Sequence, residues 1–138
     1  MMRRVAAMRG EKAPEFDTHI SVTLPIHTES EANLREHWAP KSRRAKDQRG
    51  TARIILRQPQ YAELFRHHGN FEITLTRIGV RTLDSDNLAN SFKHVQDGVS
   101  DALGIDDGSA RITWRYTQEK GKPKEYAVRV KIERVKDA

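Results

Sequence analysis

The sequence predicts an α+β fold, a single domain in which a mixed or antiparallel sheet of about four strands carries two main helices. Three observations point there. Four segments alternate apolar and polar residues with the period of a half-buried strand. Two longer segments have helical composition or spacing. Their order, strand, helix, strand, helix, strand, strand, is not the regular alternation of a doubly wound parallel sheet. At 138 residues the chain is long enough for one buried core and too short for two.

Residues 1–17 mix charge with Gly10 and Pro14 and show no periodicity, which predicts a mobile basic tail ahead of a domain over 18–138. The first strand is expected at His19–Leu24, where Ile20, Val22 and Leu24 alternate until Pro25 stops the ladder. After a loop, Asn33–Trp38 leads to Trp38, which reads as a core anchor or as a surface for an unstacked base. A helix is expected from Ser42 to about Leu56, with Ala45, Ala52, Ile55 and Leu56 beneath a basic face and Gly50 weakening it. Pro59 ends it, and Tyr61, Leu64 and Phe65 suggest a short following turn. His67 and His68 are adjacent without a second cluster, which suits a surface loop better than metal ligation.

Phe71, Ile73 and Leu75 mark a second strand, and the shift of apolar phase to Ile78 and Val80 predicts a bulge near Thr76–Arg77. Leu88, Phe92, Val95, Val99, Ala102 and Leu103 then recur at helical spacing, with Gly104 as a stop. The same period puts Asp86, Asn90, Lys93, Asp97 and Asp101 on a polar stripe of that helix. Ile112, Trp114 and Tyr116, and later Tyr126, Val128, Val130 and Ile132, make two strands, and the 119–123 connection suggests that they pair as a hairpin.

The chain has no cysteine, which removes disulfides, thiolate metal sites and a cysteine nucleophile and fits an intracellular protein. No apolar run reaches the roughly 18 residues of a membrane span, and the start is charged too soon for a signal peptide, so a cytoplasmic location away from membranes is expected. The net charge of +6 suggests a polyanionic partner. Its placement is uneven. Lys41, Arg43, Arg44, Lys46, Arg49, Arg53 and Arg57 meet only Asp47 in their stretch, whereas acids concentrate between Asp84 and Asp107. Cations that hold a phosphodiester backbone beside carboxylates that hold a metal are what a metal-dependent nuclease needs. A plain solvated helix face explains the basic run equally well.

Asp84 and Asp86 stand at the mouth of the second helix, and Asp106 and Asp107 just past its end. If they meet, they offer oxygen ligands to a hard divalent cation. The structural alternative is that Asp84 or Asp86 caps the helix. An EF-hand loop is excluded, because Ala89 and Val95 stand where it needs Gly and Glu.

These residues resemble the RusA-type Holliday junction resolvases, endodeoxyribonucleases of bacteria and their phages. The resemblance rests on Asp84-Ser85-Asp86-Asn87-Leu88, then Asp101-Ala102-Leu103, then Asp106-Asp107, and more loosely on Asn33, Arg35 and Ala52-Arg53-Ile54-Ile55; it spans about residues 18 to 134. It implies a Mg²⁺-dependent homodimer, Mn²⁺ being a substitute ion, that binds four-way DNA junctions and nicks two opposing strands to resolve them in recombination and repair. It also implies that Asp84, Asp86 and Asp107 are the catalytic carboxylates, with Asp106 as the adjacent metal ligand. The family places a catalytic lysine four residues after the second Asp, where this chain has Asn90; Lys93, one turn on, is the expected replacement. DNA contacts are expected from Lys41, Arg43, Arg44, Lys46, Arg49 and Arg53. No Gly-rich phosphate loop points to a nucleotide cofactor, and no Ser/His/Asp arrangement competes.

Two rivals stand beside this reading: a DNA-binding homologue that has lost cleavage, motivated by Asn90, and a metal-dependent nuclease of flaps or single strands. Geometry raises a further question. A straight helix from about Asn87 to Ala102 spans roughly 24 Å, and the connector to Asp107 returns at most about 18 Å. The acids therefore meet through a nearly taut connector, through a break in the helix, for which Gly98 is the expected place, or across two antiparallel copies in a dimer.

Overall fold

The computed structural model describes residues 16–29, 38–62 and 69–135. Most of the expected tail, Asn33 and Arg35, and Leu64, Phe65, His67 and His68 lie outside the described residues, as does the side chain of Trp38. The architecture is α+β: among the described residues, one four-stranded mixed sheet with three helices. No described helix is long and apolar enough to cross a membrane.

Strand β1 (Phe16–Leu24) starts earlier than its alternation suggested and ends before Pro25. Helix α1 (Trp38–Leu56) includes Pro40 in its first turn, where a missing backbone N–H costs little. A 3₁₀ turn follows at Pro59–Tyr61. Strand β2 (Phe71–Gly79), helices α2 (Ser85–Ser91) and α3 (Lys93–Leu103), and strands β3 (Ile112–Lys120) and β4 (Ala127–Val135) complete the chain.

The strand order is β1-β4-β2-β3. β4 pairs antiparallel with β1 and β2, and β3 pairs parallel with β2. The expected hairpin of the last two strands is therefore wrong: β2 lies between them. Helices α2 and α3 form a crossover that returns β3 alongside β2, which leaves only the other edge of β2 for β4. The connector after β3 then passes the end of β2, where the Gly121 N–H donates to the Gly79 carbonyl at 2.7 Å.

The expected bulge is also absent. β2 keeps continuous register with both neighbours from Phe71 to Ile78. The apolar phase changes because Arg77 occupies a core-facing position after Phe71, Ile73 and Leu75, while Ile78 is half-buried on the opposite face.

Registers place three rows of side chains across the helix-bearing face: Ile20–Ile132–Ile73–Trp114, Val22–Val130–Leu75–Tyr116, and Leu24–Val128–Arg77–Gln118. Ala52 and Leu56 of α1, Leu88 of α2, and Phe92, Val95 and Val99 at and within α3 close the core over them. The third row turns polar at its end, and that polar end organises the site.

The single long helix expected here is two helices. The break falls at Phe92, not Gly98. Buried Ser91 donates its hydroxyl to the Leu88 carbonyl at 2.7 Å, and the Phe92 N–H turns back to Ala89 at 3.2 Å, a local pattern that bends helices. Phe92 packs against Tyr116 of β3, ring centroids 5.6 Å apart, which fixes the bend on the sheet. Gly98 instead lets α3 touch α1: a Cβ there would lie well inside contact distance of the Arg49 carbonyl oxygen and 2.8 Å from Ala52 Cβ. Gly104 ends α3 at φ 70°, as its position suggested.

Candidate functional site

The loop from Val80 to Asp84 leaves β2 with little regular structure of its own, and its position comes from side-chain amides. Gln118 of β3 accepts from the Leu83 N–H at 2.8 Å and donates to the Leu83 carbonyl at 2.7 Å. Arg77, its neighbour in register, reaches the Arg81 carbonyl and, at 3.4 Å, the Thr28 carbonyl. Buried Arg77 thus ties the strap after β1 to the loop after β2. Burial pushes its pKa down, opposed by Tyr126 and Glu29.

Asp84 follows the clamped Leu83 and caps α2, its Oδ1 accepting the Asn87 N–H at 3.0 Å. The capping role held open for Asp-x-Asp is the one the structure gives Asp84. Asp86 is exposed in the first turn of α2. Lys93 is exposed at the start of α3, beyond the break, so the expected stripe from Asp86 through Lys93 is not continuous.

Asp107 is held by side chains that sequence reasoning missed. Trp114 Nε1 donates to its backbone carbonyl at 2.8 Å, and Gln96 Nε2 donates to its Oδ2 at 3.4 Å. The hydroxyl of Tyr116 donates to Gln96 Oε1 at 2.5 Å. Burial, opposed by the Gln96 hydrogen bond and aided by the Asp107 carboxylate, raises the Tyr116 pKa and keeps it a donor. Trp114, Tyr116 and Gln118 share one face of β3, with successive positions about 7 Å apart. One strand face therefore positions both the segment before Asp84 and the Asp107 loop. Period-two alternation could flag Gln118 as the polar end of an apolar row, but nothing local marks Gln96.

Asp106 accepts the Gly108 N–H at 3.0 Å, closing the turn. Asp106 and Asp107 line a cleft of about 450 Å³ between α1 and the end of α3, together with Asp97, Asp101, Arg49 and Arg57. Asp84 and Asp86 are not among its lining residues. The four predicted acids thus divide into two places. Among the described residues, no three carboxylates or imidazoles come close enough to hold a metal within one chain.

The basic face is divided as well. Arg43 and Lys46 are exposed, and Lys41 and Arg44 are half-buried. Arg49 is bound to Asp101, Nε to Oδ2 at 2.6 Å and Nη2 to Oδ1 at 2.9 Å, and Arg53 lies 3.9 Å from the same carboxylate. Arg49 and Arg53 therefore answer charge on α3, although Arg49 stays exposed, while Arg43 and Lys46 lie toward the start of α1.

No family model matches the chain. A protein of Xylella fastidiosa (strain Temecula1 / ATCC 700964), described as uncharacterized, is 33% identical over 111 residues, covering 78% of this chain and 69% of the relative. That relative has no described activity, so the kinship is one of sequence. At that identity and coverage, the chain belongs to the same family as the Xylella protein.

Proposed function

We propose that this chain is a divalent-metal-dependent endodeoxyribonuclease of the RusA type that resolves branched DNA by paired nicks, working as a cytoplasmic homodimer. The observation that carries the reading is the common suspension of the two acid segments from β3. Gln118 holds Leu83 beside Asp84, and one side-chain step away Tyr116 holds Gln96 against Asp107.

The acids offer oxygen donors alone, the kind Mg²⁺ and Mn²⁺ take. Among the described residues one chain does not gather three of them into a closed metal site. The assignable roles belong to the side chains. Arg43 and Lys46 present exposed cations to a phosphate backbone, with Lys41 and Arg44 beside them. Gln96 and Gln118 are positioning residues for Asp107 and Asp84.

The test is incubation of the full chain with a labelled four-way junction and with its component duplexes, in Mg²⁺ and in EDTA. Symmetric nicks in the junction alone, dependent on the metal, support the reading. A second reading, a DNA-binding homologue without cleavage, is favoured by Asn90 and by the divided acids, and predicts junction binding with no nicks under either condition. Cleavage of flap or single-stranded substrates in place of the junction would move the chain to the other nuclease class.

A further inference from the structure

β3 forms one edge of the sheet and β1 the other. The Phe71 N–H donates to the Arg111 carbonyl and the Gly121 N–H to the Gly79 carbonyl, both at 2.7 Å, so the odd-numbered residues of β3 direct their backbone groups at β2. Trp114, Tyr116, Gln118 and Lys120 therefore aim theirs away from β2, where no described strand or loop pairs with them. An open edge is a template for a further strand, and folds commonly blunt it with a bulge, a proline or lysines. β1 has a break in register between Phe16 and Thr18. β3 keeps register with β2 from Ile112 to Lys120, contains no proline, and has its single lysine at its last residue.

On the face away from the helices β3 presents Thr113, Arg115, Thr117 and Glu119, all exposed. Arg115 and Glu119 keep 59% and 54% of their side chains in solvent despite ion pairs to Glu72 and Arg129 within the chain. One positive and one negative charge, placed symmetrically about Thr117, are self-complementary in an antiparallel pair. With two copies centred on Thr117, Arg115 stands opposite the partner's Glu119, and Glu119 opposite the partner's Arg115. Centring on Arg115 or Glu119 opposes like charges, and centring on Tyr116 or Gln118 makes no ion pair.

We infer that β3 pairs antiparallel with the β3 of a second copy of this chain, centred on Thr117, joining the two sheets into one. The inference rests on the homodimer proposed above and names the surface that makes it. Trp114 then faces the partner's Lys120 and Tyr116 the partner's Gln118, each pair exchanging two backbone hydrogen bonds. The two-fold axis stands perpendicular to the joined sheet, so both helical layers lie on the same side. Gln118, which holds Leu83 beside Asp84, comes to lie across from the partner's Tyr116, whose counterpart in this chain holds Gln96 against Asp107. Within one chain Gln118 and Trp114 are roughly 13 Å apart along β3, whereas Gln118 and the partner's Trp114 are about 7–8 Å apart on the diagonal. The pairing thus draws the Asp84 segment of one copy toward the Asp107 loop of the other.

The chain has no cysteine, so a single introduced thiol reports the register. Thr117 faces the partner's Thr117 as a pair without backbone hydrogen bonds, its Cα atoms about 4.5 Å apart and within disulfide reach. Mild oxidation of the full chain carrying Thr117→Cys should therefore yield covalent dimers. Thr113→Cys, whose two thiols would stand roughly 27 Å apart, should stay unlinked. Sedimentation equilibrium supplies the second arm. Arg115→Glu and Glu119→Arg should each weaken self-association at least about tenfold, since like charges then oppose one another twice. An equimolar mixture of the two should dimerise like the wild type, because the heterodimer restores both ion pairs. Both side chains are exposed, so neither exchange threatens the fold. A monomeric wild type, dimers that Thr117→Cys does not link, equal linking through Thr113→Cys, or a mixture no better than its components would each overturn the pairing. Every arm is read without DNA or metal, so dimers formed through another surface sink this pairing alone, and the nuclease reading stands or falls on junction nicking.

Discussion

Arg49 of α1 grips Asp101 of α3 with two hydrogen bonds, at 2.6 Å and 2.9 Å, and Arg57 caps the same residue through its backbone carbonyl at 2.7 Å. The ion pair joins the two helices that pack most closely. It also engages Arg49, one of the residues expected from its place in the basic run to contact phosphate.

The pair makes stability depend on acid. The Arg49 hydrogen bond, aided by the charges of Arg49, Arg53 and Arg57, holds Asp101 below its ordinary pKa of 3.8, against a smaller effect of burial. A depressed carboxylate contributes stability that is complete above the unfolded value and is lost as pH falls through the folded one. Thermal melts between about pH 5 and about pH 2 should show a steeper loss for the wild type than for Asp101→Asn. Parallel curves would mean that the pair adds nothing to folding.

Two helical glycines should respond oppositely to alanine. Gly98→Ala forces a methyl into the Arg49 backbone and should cost about 1–3 kcal/mol in urea unfolding. A methyl added at Gly50 would meet nothing within 4 Å, and Gly50→Ala should stabilise by about 0.5–1 kcal/mol. Similar values for the two would mean that α1 and α3 are not in contact at Gly98.

DNA affinity should be set by the exposed start of α1. Arg43→Ala and Lys46→Ala should each flatten the salt dependence of binding to duplex arms by roughly 0.9 logarithmic units. Arg49→Ala should change the slope less, since its guanidinium is engaged by Asp101. A slope unaltered by all three would reduce the basic helix to a solvated face.

Asp84→Asn and Asp107→Asn should each abolish metal-dependent nicking while junction binding survives or tightens, because an amide removes a charged ligand and relieves repulsion of phosphate. Asn also caps helices well, so Asp84→Asn should stay as stable as the wild type, whereas Asp84→Ala loses about 1 kcal/mol. Mixing the two Asn variants asks whether sites are shared across a dimer. One heterodimer site then carries both lesions and the other neither, so nicking returns if sites are composite; exchange without recovery places each site within one chain.

The existence of the four strands, most of their inward faces, the Gly104 stop and the α+β class were legible because alternation and helical spacing depend on neighbours in sequence. Val22, Ile73, Val130 and Phe92 were recognisable as core from that pattern alone. Strand partnership was not, since two amphipathic strands joined by a short connector read alike whether they pair or a third strand lies between them. Tertiary packing placed β2 between β3 and β4, and Arg77 in the row where a bulge was expected. The break at Phe92 joins a local serine hydroxyl bond to a ring stacked on Tyr116, contacts that no helical period encodes. The acids themselves could be read from the chain as a motif. That Gln118 and Gln96 hang them from one strand, and that Asp101 claims Arg49, depends on residues 35 and 52 positions apart in sequence that only the folded chain brings into hydrogen-bonding distance.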